Sequence, residues 1–324
     1  MHTATAVEKH GGIRAAARAM GVDRRTIQRR LAKEGRVKLP ALPKGDAPIA
    51  EIIGRLAADT NRKRVAIEAA RWQRVHVNDK LPVGILWFGD PHLGTSCRWD
   101  RLQKDVAHCL TAPGLYAANL GDTANYWSGS LIRLAAEEDI SRKTERRLAR
   151  WFLAEAGIPW LLWIMGNHDE WHDSADFMRE MNIAGRVSMH DWDAKIALCF
   201  PGGQSVKLHL AHDFPGHSMW NKTHGPSRAA QLMSDADLYV CGHKHDWGMQ
   251  QFEIPERNLC PWAIRARGYK FGDKFAKRLG FAEAQYGHSV LTIICPTVNG
   301  PGKVLPFMDI DQGVRVLAAL RGGK

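Results

Sequence analysis

The sequence predicts an α/β protein preceded by a small all-α unit. Three observations carry this. Five short apolar runs, at residues 83–88, 116–120, 160–165, 206–211 and 238–241, each end abruptly in a block rich in Asp, Asn or His. They are far below membrane-spanning length and suit buried strands. Segments of helical character separate most of them. Charge is also unevenly placed. Residues 1–80 hold 18 Lys+Arg against 8 Asp+Glu, whereas residues 81–324 hold 27 against 26, so nearly all of the net +11 precedes the strand-rich part.

The blocks themselves run, in chain order, Asp90-Pro91-His92, then Gly121-Asp122-Thr123-Ala124-Asn125, then Gly166-Asn167-His168-Asp169-Glu170, then His212-Asp213, then Gly242-His243-Lys244-His245. Loops beyond the carboxyl ends of strands are where α/β folds bind ligands. Two residues apart at a strand end, Asp90 and His92 can point the same way, and so can His243 and His245. Carboxylate, imidazole and amide together suit Mn, Fe or Zn better than Mg alone. No G-x-S-x-G elbow and no Walker-type phosphate loop occurs, so a serine hydrolase or a P-loop NTPase is not supported.

The ordered set of D-x-H, GD, GNHD, a lone His and GHxH resembles the calcineurin-like metallophosphoesterase family. The resemblance covers roughly residues 81–310. It implies a four-layer α/β sandwich, two mixed sheets flanked by helices, with two divalent metal ions at the strand ends, Mn ahead of Fe or Zn. Asp90, His92 and His245 would hold one ion, Asn167, His212 and His243 the other, and Asp122 would bridge them. His168 would contact the phosphate and protonate the leaving oxygen as general acid. Asp169 would orient the His168 ring. His212 is preferred over His209, which is mid-strand, and over His217, which lies in a Pro/Gly loop. Asn125 is expected to be structural or near the site rather than a ligand, and His172 to support the site or face substrate.

Ahead of this domain, residues 3–33 read as two or three short helices. Ala16, Ala17 and Met20 form a small apolar face, Gly21 permits a tight turn, and Asp23 can cap the next helix. Ile27 and Leu31 then face a core, leaving Arg24, Arg25, Gln28 and Arg29 outward, as a recognition helix would present them to phosphates and base edges. The segment resembles a Fis-type helix-turn-helix, which implies DNA as a partner; a homo-oligomer is compatible with it. Residues 36–48 carry three prolines and read as a linker. Residues 49–80 read as a basic helical connector, with Ile49, Ile52, Ile53 and Leu56 on one face and Arg62, Lys63, Arg64, Arg71 and Arg74 on another.

Within the larger domain, helices are expected at residues 98–110 and 131–157, a hairpin at Gly202-Gly203, a loop and helix over 215–232, and closing strands at 289–296 and 303–308. Residues 257–288 interleave Trp262, Arg265, Arg267, Tyr269, Lys270, Phe271, Lys274, Phe275, Lys277 and Arg278, a pattern that suits phosphate binding and base stacking as well as an ordinary cap on the sheet. The chain from Asp311 onward reads as a peripheral tail. The six cysteines are scattered with no C-x-x-C pair, which argues against a disulfide framework or zinc ribbon. With no secretory start and no apolar run of membrane length, a cytoplasmic protein without membrane contact is expected. The reading as a whole is a metal-dependent phosphodiesterase, foremost a DNA nuclease of phage or prophage origin; the alternative is a DNA-tethered phosphatase or small-molecule phosphodiesterase.

Overall fold

A computed structural model describes residues 3–33, 48–69, 72–171, 174–182, 187–271 and 288–322. The proposed linker up to residue 47, the side chains of Arg62, Lys63 and Arg64, and residues Arg71, His172, Lys274, Phe275, Lys277 and Arg278 lie outside the description. The chain divides into two compact units, residues 1–69 and 70–324. Among the described residues, no helix is long and apolar enough to cross a membrane.

The first unit contains α1 (Thr3–Lys9), α2 (Ile13–Ala19), α3 (Arg24–Lys33) and the long α4 (Ile49–Ala69). Ala17, Ile27 and Leu31 form a small core with Val7, Ile13, Met20 and Val22 packed against it. Gly21 sits at φ +65° between α2 and α3, a conformation that glycine adopts without a Cβ penalty. Asp23 then caps α3, its carboxylate accepting from the Arg25 N–H at 2.6 Å, the Thr26 N–H at 3.1 Å and the Thr26 hydroxyl at 2.8 Å. Arg24, Arg25 and Arg29 are exposed.

The second unit begins with β1 (Gln73–His76) and β2 (Val83–Phe88), followed by α5 (Trp99–Thr111) and β3 (Leu115–Asn119). The expected helix over 131–157 is broken in two. A 3₁₀ segment (Gly129–Glu137) precedes α6 (Arg142–Arg150), which starts where the Ser141 hydroxyl accepts from the Thr144 N–H and which runs into a π turn (Trp151–Glu155). Then come β4 (Trp160–Ile164), α7 (Asn167–Glu170), α8 (Ser174–Met181), β5 (Ser188–His190), β6 (Asp193–Cys199), β7 (Ser205–Ala211), α9 (His224–Leu232), β8 (Leu238–Cys241), β9 (Gly248–Gln251), β10 (Trp262–Arg265), β11 (Val290–Ile294), β12 (Val304–Phe307) and α10 (Ile310–Leu320).

The strands form two mixed six-stranded sheets, ordered β12-β11-β2-β3-β4-β5 and β1-β6-β7-β8-β10-β9. Alternation along each strand divides its side chains between two cores. Val83, Ile85 and Trp87 of β2 meet Ile196, Leu208, Leu210 and Val240 between the sheets, while Leu86 and Phe88 face a second core with Leu102, Val106, Phe152 and Leu317 from the helices. Ala229 and Ala230 of α9 cover the outer face of the other sheet beside Tyr239 and Cys241. The result is the helix–sheet–sheet–helix sandwich expected. β2, β3 and β4 run parallel, as do β7 and β8, so the polar blocks that follow them emerge at the carboxyl ends.

Two boundaries differ from the sequence reading. β1 pairs in parallel with β6, so the sandwich takes in residues 73–76 as an edge strand rather than starting near residue 81. The segment from Asp311 is a structural helix, not a peripheral tail. Ile310, Gly313 and Leu317 are buried, Asp311 engages Lys104 and His108, and the Arg321 guanidinium donates to the Pro82 carbonyl at 2.7 Å. Gly84 makes room for this helix: a Cβ there would lie 2.8 Å from side-chain carbons of both Leu115 and Leu317. Leu317→Ala should therefore destabilise the protein by about 2–5 kcal/mol, as cavity-forming core truncations do. Urea unfolding checks this; a change under about 0.5 kcal/mol, typical of surface sites, would place α10 outside the core.

Candidate active site

Five strand ends, those of β2, β3 and β4 in one sheet and of β7 and β8 in the other, bring the predicted ligands to one place. Asp90, His92, Asp122 and His212 are all 2% exposed or less. Three clusters of donor atoms arise: Asp90, His92 and His245; His92, Asp122 and His168; Asp122, His212 and His243. Within each, the atoms lie within 4.8 Å of one another. Asn167 joins the third cluster, its Oδ1 3.1 Å from His212 Nε2, and the His243 Nδ1 faces the same His212 nitrogen at 3.0 Å. His209 lies elsewhere, engaged with Ser234 and Asp193.

The backbone is strained to achieve this. Asp90, His92, Asp122, His243 and His245 all adopt φ between 42° and 69°, a left-handed conformation uncommon in non-glycine residues. Glycines beside them permit close approach. A Cβ on Gly166 would lie 2.2 Å from Asp122 Oδ1, and one on Gly242 2.4 Å from Asp90 Oδ2. These contacts explain the glycine that precedes the ligand in each of those blocks.

Charge and hydrogen bonding prepare the donors. Burial pushes the Asp90 carboxyl up to about 8, with Asp122 adding to the push and His212 opposing it. Burial also opposes ionisation of Asp122, yet His212 and His168 hold that carboxyl well below the usual range. Burial works against charge on His212, but Asp122 and Asp90 raise it to about 10. Asp122 and His212 thus attract one another as a buried pair, 3.4 Å apart. Burial holds His92, His243 and His245 below the usual histidine range, in the neutral form that ligates metals. Among the described residues, the Asp90 Oδ1 and both His92 ring nitrogens are buried without hydrogen-bond partners. Buried polar atoms are rarely left so, and a divalent cation would engage Asp90 Oδ1 and one of the His92 nitrogens. The donor set fits metal.

A model of the calcineurin-like phosphoesterase family matches residues 84–247. The chain belongs to that family. Among solved structures, it is similar to the calcineurin-like phosphoesterase YfkN from Bacillus subtilis at 11% identity, over 75% of this chain and 100% of that one, with a TM-score of 0.38. It is also similar to vacuolar protein sorting 29 from Cryptosporidium parvum at 11% identity, over 70% and 96%, with a TM-score of 0.35. No curated protein matches the chain. This calcineurin-like phosphoesterase is a metal-dependent hydrolase of phosphoesters by family and by its donor clusters.

One assignment changes in detail. Asp169 does not orient the His168 ring. Its carboxylate accepts from the Thr123 N–H at 3.1 Å and the Gly166 N–H at 3.0 Å, which ties the second and third blocks together. The His168 ring is set instead by the Asn125 carbonyl, which accepts from Nδ1 and leaves Nε2 3.9 Å from Asp122 Oδ2. The Asn125 amide donates to Glu138 at 2.8 Å. Glu138, Trp127, Trp171 and Trp192 escaped the sequence reading. Glu138 accepts from the Trp127 indole at 3.0 Å, the Trp127 and Trp171 rings lie 5.3 and 4.1 Å from that of His168, and Trp192 lies 5.1 Å from His212. None belongs to a motif, so only tertiary contact reveals them.

Chelation should abolish phosphoester hydrolysis and Mn²⁺ should restore it. Metal at about 100 times its Kd should also add about 2.7 kcal/mol to unfolding stability. Thermal melts with and without EDTA check the second effect, and an unchanged midpoint counts against metal binding. Gly166→Ala, which crowds Asp122, should weaken Mn²⁺ binding by about 10- to 100-fold in calorimetric titration.

Proposed function

We propose that the protein is a metal-dependent phosphodiesterase that acts on DNA, with the sandwich as its hydrolytic domain and the first helical unit as its DNA-binding module. The convergence of the strand-end donors around Asp122 carries the hydrolytic part. Asp90, His92 and His245 would hold one divalent ion, Asn167, His212 and His243 the second, with Asp122 between them. Such ions, when bound, supply Lewis-acid polarisation of the phosphoryl oxygens and make water a stronger nucleophile near neutral pH. Mn, Fe and Zn suit this mixed oxygen and nitrogen set.

The chain's own residues do the rest. With the Nδ1 proton of His168 engaged by the Asn125 carbonyl, Nε2 is the atom that faces the cluster, and in the doubly protonated ring it would pass its proton to the leaving oxygen and leave the Nδ1–H tautomer behind. The His168 backbone N–H donates to Asp122 Oδ1 at 2.9 Å, so the acid and the central carboxylate are held in one frame. Asp169 keeps that frame closed by pinning the loops on either side.

The DNA part is supported by the exposed Arg24, Arg25 and Arg29 at the start of α3, with the half-buried Gln28 among them, and by the positive charge concentrated in residues 1–80. Lys and Arg that neutralise phosphates supply most non-specific DNA affinity. The helix order, the Gly21 turn and the Asp23 cap support the helix-turn-helix reading. A phage or prophage origin accords with this combination.

The test uses full-length protein with Mn²⁺, linear duplex DNA, single-stranded DNA and bis-p-nitrophenyl phosphate. His168→Ala should lose about 10²- to 10⁴-fold in turnover, the usual contribution of general acid catalysis. A variant still cleaving DNA at the parental rate removes His168 from the chemistry. Replacing Arg24, Arg25 and Arg29 together by Ala should flatten the dependence of log affinity on log salt, by about one unit for each arginine that neutralises a phosphate. Turnover of the small diester with DNA left intact would overturn the nuclease and leave a phosphodiesterase of small esters.

A further inference from the structure

The basic and aromatic segment after β10 is not used by the donor clusters, yet its described part is bolted to them. The Tyr269 N–H donates to the Asp90 carbonyl at 3.1 Å, the Arg98 N–H to the Tyr269 carbonyl at 2.8 Å, and the Phe271 N–H to the Ser96 carbonyl at 2.7 Å. Lys270 and Cys97 form an antiparallel bridge between these bonds. Gly268 lets the segment come this close, since a Cβ there would lie 2.8 Å from that of Asp90. The backbone of Lys270 is thus fixed to the loop that carries Asp90 and His92.

Its side chain runs to the active-site wall. The Lys270 ammonium lies 4.7 Å from the centre of the Trp127 ring, and that ring meets His168 edge-on at 5.3 Å. Trp127 is itself held by Glu138. A cation seated on an aromatic face keeps its stem packed and can still donate to an anion. Next to burial, the Lys270 charge is also among the forces that lower the pKa of His92 and His245, and it lowers that of His168 as well.

A positive charge is thus held beside a donor set suited to divalent cations and next to the ring that flanks His168, where an anionic phosphoryl group would be attracted. We propose that Lys270 is a substrate-binding residue that donates to a non-bridging oxygen of the scissile phosphate on the His168 side, aimed there by the Trp127 face. The inference rests on phosphoester hydrolysis at this site and is independent of whether DNA is the substrate.

The test compares full-length Lys270→Met and Lys270→Arg with the parent, using Mn²⁺, bis-p-nitrophenyl phosphate and inorganic phosphate. Methionine keeps the stem over Trp127 and removes the charge. It should lower kcat/KM by roughly 10- to 150-fold, the value of one charged hydrogen bond, and weaken inhibition by phosphate by a similar factor. Mn²⁺ affinity and melting temperature should stay near the parental values. Lys270→Arg should recover most of the loss. A Lys270→Met protein within about twofold of the parent in both kcat/KM and phosphate inhibition overturns the proposal. So does equal damage in both variants together with failure to bind Mn²⁺, which would make Lys270 a packing strut. If the parent turns over no phosphoester, hydrolysis itself falls, and phosphate titrated into the Mn²⁺-loaded parent and Lys270→Met proteins still decides the role of Lys270.

Discussion

The structure turns on one buried carboxylate. Asp122 is 2% exposed, and an ionised group left alone there would cost several kcal/mol. The fold answers with the His168 N–H at 2.9 Å and with the rings of His212, His92 and His168 at 3.4, 3.8 and 3.9 Å. These partners come from different strand ends in both sheets. The sheets must therefore present those ends at one edge, which parallel β2, β3 and β4 and parallel β7 and β8 accomplish. Antiparallel neighbours joined by tight hairpins would have sent alternate ends to opposite edges.

The arrangement is held under load. Five predicted ligands adopt left-handed backbone, at roughly 1–3 kcal/mol each for non-glycine residues in such regions. The core between the sheets, with Trp87, Ile85, Ile164, Leu208 and Val240, supplies the rigidity that sustains this. Gly166 and Gly242 remove the side chains that would otherwise displace Asp122 and Asp90. Site and core are therefore one mechanical problem: loosening the sheets would relax the donors out of register.

The two units use different physics. The second balances its charges almost evenly and concentrates its electrostatics in a buried cluster. The first has a small core of Ala17, Ile27 and Leu31 and keeps Arg24, Arg25 and Arg29 on its surface. In the proposed function, association with a polyanion belongs to the exposed arginines and bond cleavage to the buried donors. Lys270 links the two themes, as a fixed positive charge that belongs to the pocket rather than to the surface.

Much of this was legible in the chain itself. The five apolar runs became β2, β3, β4, β7 and β8, because a strand buried on both faces must be continuously apolar. The donors were legible because D-x-H and GHxH place their ligands within one or two residues, where local backbone geometry sets direction. Three things were not. The short strand β1 and helix α10 joined the sandwich through β6 and Leu317, partners more than a hundred residues distant or supplied by long-range packing. Asp169 turned from the His168 ring to the Thr123 and Gly166 amides, since which donor a buried carboxylate reaches depends on loops meeting in space. Trp127, Glu138 and Lys270 came together from three separate segments. The sequence by itself determined which residues carry the chemistry, because residue type and short spacing are local. Only the tertiary structure decided how they are oriented, strained and charged, because those depend on burial and on distances between segments that no local pattern encodes.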